Sequence, residues 1–328
     1  MDRRHSADKS AKSEGSEGDR MTLLWKPLLS ATVPMDPVTE DFDYSKVLLP
    51  CYASPKLDGY RAMVQRGMLV SRNGLLVANR ELQARYGRKE YEGLDGELCD
   101  GPVTAANVFN RTSRVVRKAE VDASQIMLYV IDRHGIDMDM PQRLSLISHA
   151  SSKLRLAPGV VIIKQTLIKS VEQLKAYVTK NEAAGYEGTM LRRADQGMYP
   201  QKSGKENRST LNEFDLARLK RFDYAEATIL SIRLLEHNEN TAITGAGRKS
   251  SKKSGIRVDA KLIGSATLRD VKTGVEFNTN VNGDALRAWP GWQKPELWKN
   301  VPVRYKWQVC GTKDKPRINS CSFDELGV

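Results

Sequence analysis

Around Arg221 the sequence changes its periodicity, and that change divides any fold the chain can adopt. Upstream, apolar runs alternate with helical spacings. Downstream come "AEATILSIRLL", "AKLIGSATLRDV", "GVEFNTNV" and "VPVRYKWQV", strand-like runs set off by turn residues, with one short helix expected near Asp284 to Trp289. Such a pattern predicts a small all-β unit. We place a boundary near residue 222, and the length of 328 residues is that of two domains behind a short tail. No internal repeat or heptad seam competes with this division.

Before the boundary, Tyr60 to Arg72 alternates around an Arg66-Gly67 turn, as a hairpin does, and Asn73-Gly74 marks the next reversal. "GELCD" from Gly96 and "QIMLYVID" from Gln125 read as buried strands. Pro141 to Arg155 has a proline suited to a helix start and helical spacing of Leu144, Ile147 and Leu154. A strand at Gly159 to Lys164, a helix at Val171 to Asn181 and a strand at Tyr186 to Arg192 follow. The polar stretch from Ala194 to Glu213 reads as a surface loop.

Composition removes several classes of function. The first 20 residues hold as many acids as bases among Ser and Gly, which predicts a disordered arm, and they lack the apolar centre of a signal peptide. No apolar run approaches the ~20 residues that span a bilayer, so no membrane partner is expected, and the expected location is cytoplasmic. The four cysteines, Cys51, Cys99, Cys310 and Cys321, contain no Cys-x-x-Cys pair and read as reduced thiols. His5, His134, His149 and His237 are equally dispersed. The chemistry must therefore rest on lysine, arginine and carboxylates, and the net charge of +12 points to a polyanionic partner.

"ASPKLDGYRAMV" is the segment richest in chemistry: Lys56 precedes Asp58-Gly59 and Arg61 at the mouth of a strand. A lysine nucleophile must lose its proton, which nearby cations or a metal favour, and Gly59 would let the backbone approach a phosphate. In chain order there follow "SRNG" with Arg72, "LDGELCD" with Asp95 and Glu97, "LYVIDRHG" with Tyr129 and Asp132, and "YEGTMLRR" with Glu187 and Arg192. "LARLKRFDYAEA" with Arg218 and Lys220, then "GTKDKPR" with Lys313, Lys315 and Arg317, complete the set.

This ordered set resembles the covalent nucleotidyltransferases, most closely the compact ATP-dependent DNA ligases of bacteriophages and other viruses. The resemblance spans about residues 54 to 317. It implies an α+β nucleotidyltransferase (adenylation) domain built on antiparallel sheets over residues 21 to 222, then an OB-fold over 223 to 328. It also implies ATP, a magnesium or manganese ion, and a monomer that encircles nicked double-stranded DNA. Lys56 would be the nucleophile that becomes lysyl-AMP, with Ser54, Arg61, Glu97, Arg192, Arg218 and Lys220 around the nucleotide. Glu97 would hold the ribose, Glu187 with Glu97 the metal, and Arg72 the 5′-phosphate of the nick. The aromatic that stacks on adenine falls on Tyr129 by the apolar strand, or on Ile131 if Asp132 sets the alignment. Two departures stand out. Arg218 takes the place of the commoner lysine, presenting a planar fork, and "KDKPR" continues into "INSCSF" where an aromatic and a proline are commoner.

The stretch from Glu236 to Lys261 collects Arg248, Lys249, Lys252, Lys253 and Arg257 among Gly and Ser. It reads as a flexible arm that contacts backbone phosphates, or else as a solvated basic loop. An RNA ligase or a capping guanylyltransferase would share the Lys56 motif. A non-catalytic OB-type binder would need none of Lys56, Glu97 and Glu187.

Overall fold

The computed structural model describes residues 25–36, 39–105, 107–153, 158–202, 206–241, 250–281, 294, 298–308 and 317–320. The tail, the helix expected near Asp284, Cys310, Cys321, Arg248, Lys249, Lys313 and Lys315 lie outside the described residues.

Fifteen strands and four α-helices make up the described fold. The first five strands are β1 (Ala31–Thr32), β2 (Cys51–Lys56), β3 (Tyr60–Gln65), β4 (Met68–Ser71) and β5 (Leu94–Asp100). Then come β6 (Ile126–Arg133), β7 (Val160–Ile162), β8 (Thr166–Ile168), β9 (Gly188–Arg193) and β10 (Ala217–Leu219). The last five are β11 (Asp223–Asn238), β12 (Ile256–Asp270), β13 (Glu276–Asn280), β14 (Pro302–Gln308) and β15 (Arg317–Ser320). The helices are α1 (Arg80–Tyr86), α2 (Val108–Val116), α3 (Met140–Lys153) and α4 (Val171–Ala183).

The strands form three five-stranded sheets, ordered β1-β10-β9-β2-β8, β4-β3-β5-β6-β7 and β13-β12-β11-β14-β15. Pairing among the described strands is antiparallel except between β1 and β10 and between β6 and β7. The chain is thus mixed α+β on mainly antiparallel sheets, as the sequence predicted. The expected hairpin forms β3 and β4, with Arg66 and Gly67 both at positive φ in its turn, a pairing that matches the twist of the strands.

Local sequence explains the helices. Ser170 caps α4 by accepting from the Gln173 N–H, and Leu174, Val178 and Asn181 fall on its buried face. Asn79 caps α1 through the Leu82 N–H, while its amide donates to the Lys118 and Val121 carbonyls. Helices α1, α2 and α3 deliver Leu82, Tyr86, Val116 and Ile147 to one core with Val64, Leu98 and Leu128 of the second sheet. Helix α4 adds Leu174 and Val178 to a second core under the first sheet. Trp298, Tyr305 and Phe277 centre a third, on the all-β sheet.

Two loop expectations change. Ala194 to Glu213 is not simply surface: Gln196, Tyr199, Asn207 and Ser209 are buried, because their polar groups are used inside. The Asn207 amide, for example, donates to the carbonyls of Lys26 and Pro200. The basic loop is also shorter than Glu236 to Lys261, since pairing continues to Asn238 opposite Ile256. Arg257 therefore sits in a strand, ion-paired with Glu239 at 2.6 Å.

Candidate functional site

Strand order alone brings three charged residues together. β2 ends at Lys56, which pairs with Gly188 at the start of β9, and Glu187 immediately precedes that glycine. β10 runs antiparallel to β9 and ends with Leu219 opposite Thr189, so Lys220 comes next. The Glu187 carboxylate accepts from the Lys56 ammonium at Oε2 and from the Lys220 ammonium at Oε1. Burial pushes the Glu187 carboxyl upward, but the two lysines outweigh it and hold it below its ordinary range. Burial lowers the Lys220 ammonium against the pull of Glu187.

Gly188 makes this closure possible. At φ +156° it adopts backbone geometry that side chains resist, and a Cβ there would lie 2.2 Å from the Leu219 carbonyl oxygen. Gly59 has an equally local reason: a Cβ would meet the Leu98 carbonyl oxygen at 2.6 Å and Cys99 Sγ at 2.7 Å. What approaches this glycine is β5.

On the second sheet, Arg61 of β3 lies opposite Glu97 of β5. Its guanidinium grips Asp95 with two parallel bonds, Nε to Oδ1 at 2.6 Å and Nη2 to Oδ2 at 2.7 Å. Asp95 is fully buried and also accepts from the Tyr199 hydroxyl at 2.7 Å, which in turn accepts the Leu28 N–H at 2.9 Å. Glu97 stands 3.8 Å from Arg61. Burial raises its carboxyl to about 7, against the pull of Arg61 and Lys56.

A further buried group supports Arg192. Asp132 binds both Arg143, at 2.9 Å, and the Arg192 guanidinium. Arg143 spends its other donors on the carbonyls of Met138 and Gly197 and on Gln196 Oε1. One carboxylate between two guanidiniums leaves a positive balance, and Arg192 carries it to a cavity wall.

That cavity, of about 270 Å³, draws its walls from the first two sheets and the segments beside them. Ser54, Lys56, Arg61, Arg72, Glu97, Arg192 and Arg218 line it, seven residues that the sequence singled out, now in one place. Arg208, Gln165, Ile131 and Met190 line it too. Six cationic side chains against one carboxylate suit a polyphosphate. Glu187 and Lys220 join this group through Lys56. Arg218 donates from Nε to the Thr32 hydroxyl at 3.0 Å, and neither it nor Arg72 has an ion pair among the described residues. Neither charge is spent on an ion pair among these residues, although Glu187 attracts Arg218 from a distance.

Of the two alternatives for the stacking position, Tyr129 and Ile131, Tyr129 is not among the residues that line the cavity. It packs with Leu57, Cys99 and Val108, while Ile131, two residues along the same face of β6, reaches the cavity. Lys252 and Lys253 are exposed in the all-β unit, at a short helical turn before β12. Sequence reasoning missed Arg208, Gln165 and Tyr199. For Tyr199 there was a signal, a lone aromatic inside a polar stretch. For the other two there was none.

Among the described residues, no three His, Cys, Asp or Glu side chains are grouped to hold a metal by themselves. Glu187 and Glu97 are hard oxygen donors beside the lysines, a set that suits an ion completing its shell with phosphate and water.

No protein-family model matches the sequence, and no curated protein matches it. Solved structures do. The Chlorella virus DNA ligase-adenylate is 25% identical, with a TM-score of 0.50 over 89% of this chain and 95% of its own. A Lig E DNA ligase, described as binding DNA with a minimal scaffold, is 20% identical with a TM-score of 0.58 over 90% and 98% of the two chains. The fold is that of the compact, viral-type DNA ligases. No described helix is long and apolar enough to cross a membrane.

Proposed function

We propose that the chain is an ATP-dependent DNA ligase, sealing 5′-phosphate/3′-hydroxyl nicks in duplex DNA through lysyl-AMP on Lys56. The observation that carries this reading is the convergence of Lys56, Glu187 and Lys220 at the ends of three adjacent strands, beside a cavity lined by six cations. Deprotonated Lys56 Nζ forms a bond to the α-phosphorus of ATP as the bond to pyrophosphate breaks, with release of one proton. The nick 5′-phosphate then displaces Lys56 from the adenylate, and the 3′-hydroxyl displaces AMP. Little is asked of a general base; the work is in-line placement and compensation of charge.

Arg61, fixed by Asp95, and Arg192, fixed by Asp132, orient the nucleotide, with Ser54 beside them and Glu97 on the ribose. Arg218 and Lys220 take phosphate oxygens, Arg208 stands with them at the cavity wall, and Arg72 takes the nick 5′-phosphate. Glu187, with Glu97, would hold magnesium or manganese, which supplies charge neutralisation at the α-phosphate. Residues 21 to 222 form the nucleotidyltransferase domain and 223 to 328 an OB-fold. A monomer in the cytoplasm closes these around the duplex, with Arg248, Lys249, Lys252, Lys253 and Arg257 on backbone phosphates.

Incubation with α-labelled ATP and Mg²⁺, followed by 5′-labelled nicked duplex, tests this. An acid-labile adduct reversed by pyrophosphate, then a sealed strand, is expected. An adduct formed from GTP alone, or joining confined to broken RNA, would replace the reading with a capping enzyme or an RNA ligase.

A further inference from the structure

We infer that Gln165 reads the nucleobase, selecting a purine with a 6-amino group over one with a 6-oxo group; this rests on the nucleotide-binding reading above. Gln165 follows β7 and is the sole amide among the described side chains of the cavity wall. An amide that rotates freely offers a donor or an acceptor and selects nothing. This one is fixed. Its Nε2 donates to the backbone carbonyl of Ile131 at 2.7 Å, and a carbonyl can only accept, so Oε1 cannot take that place. Oε1 has no partner among the described residues.

The cavity divides chemically in a way that fits. Phosphates go to Lys56, Arg72, Arg208 and Arg218, which leaves the base for the uncharged lining where Ile131 and Met190 stand. Ile131 contributes there twice, its side chain offering an apolar surface and its carbonyl holding the amide of Gln165. An acceptor presented beside that surface complements the exocyclic N–H of adenine. Against guanine it faces the O6 acceptor, and two acceptors cannot both be satisfied in a desolvated site.

The test measures self-adenylation kcat/KM with ATP, with purine riboside 5′-triphosphate, which lacks the 6-amino group, and with GTP. For the unaltered chain we expect ATP to be preferred about tenfold over the deamino analogue and roughly a hundredfold over GTP. In Gln165→Leu, the ratio of kcat/KM for ATP to that for the analogue should fall to about one, whatever the change in the absolute rates. Gln165→Met repeats the comparison with a side chain of similar length, and the measurements on the unaltered chain need no variant. Equal use of ATP and the analogue by the unaltered chain would overturn the inference, as would a preference that survives both substitutions. A chain that forms no adduct with any of the three overturns the ligase reading itself, a different outcome from an adduct formed without discrimination.

Discussion

At the scale of single residues, Arg61 is bound one to one by Asp95, whereas the other cations intended for a substrate are held without being fully neutralised. Arg192 shares Asp132 with Arg143, and Arg218 is oriented by a neutral hydroxyl. Lys56 shares Glu187 with Lys220, a partly buried group whose net charge favours an incoming phosphate. Lys56→Ala should therefore abolish the labelled adduct while leaving nick binding within a few-fold of normal. The same variant should still seal pre-adenylated nicked DNA, because that substrate bypasses both lysine-dependent steps; failure to seal it would mean that Lys56 does more than carry AMP. Glu97 supplies a pH signature. Its folded carboxyl titrates near 7 because burial disfavours the charge. The folded state thus binds more protons than the unfolded one between about pH 4.5 and 7, and stability falls as pH rises through that window. The total is on the order of 3 kcal/mol. Glu97→Gln should flatten that slope in urea denaturation followed from pH 4.5 to 8, and an unchanged slope would assign the decline to other groups.

At the scale of elements, the site depends on strands ending together, and glycine sets how closely they end. Gly188→Ala would push a methyl group against the Leu219 carbonyl at a backbone angle that alanine avoids. We expect a loss of about 3 kcal/mol or more in chemical denaturation, together with loss of adenylation, because Glu187 and Lys220 separate. A variant of unaltered stability would mean that β9 and β10 can part without cost. Elements with a strong local signal were legible in the sequence: α4, whose apolar spacing is regular, and the β3–β4 hairpin with its Arg-Gly turn. Helix α2 was not, since its buried face mixes Thr112 and Ser113 with Val108, Val115 and Val116, β-branched and hydroxyl residues that weaken a helical reading. Most of the cavity's charged residues were named from their order along the chain. Which residue of β6 would reach it stayed open between Tyr129 and Ile131, because the two share one face of the strand and only the packing of Leu57, Cys99 and Val108 around Tyr129 distinguishes them. Arg208 and Gln165 were invisible for a related reason: each lies outside a strand, and its role depends on what a distant segment brings beside it.

At the scale of the whole molecule, the net charge of +12 suits a polyanionic partner, and the proposed duplex contacts extend beyond the cavity to the all-β unit. Its basic residues are not equivalent. Lys252 and Lys253 are exposed next to a short turn, whereas Arg257 is committed to Glu239 across β11 and β12. An exposed pair of that kind is worth at most about 1 kcal/mol, yet it leaves Arg257 with less charge to offer a phosphate. Lys252→Gln with Lys253→Gln should therefore weaken binding to nicked duplex and flatten the dependence of log affinity on log salt by up to about two units, roughly 0.9 for each phosphate that is no longer neutralised. Arg257→Gln should change that slope by less than either lysine. Self-adenylation should stay near normal in all of these variants, since none of the residues lines the nucleotide cavity, and sealing should recover at low salt because the defect is in capturing DNA. Fluorescence-anisotropy titrations at a series of salt concentrations measure the slope directly. An unaltered slope in the double lysine variant would remove this turn from the duplex interface and leave it as solvated surface, while a collapse of adenylation would show that the turn supports the nucleotide site from the all-β side.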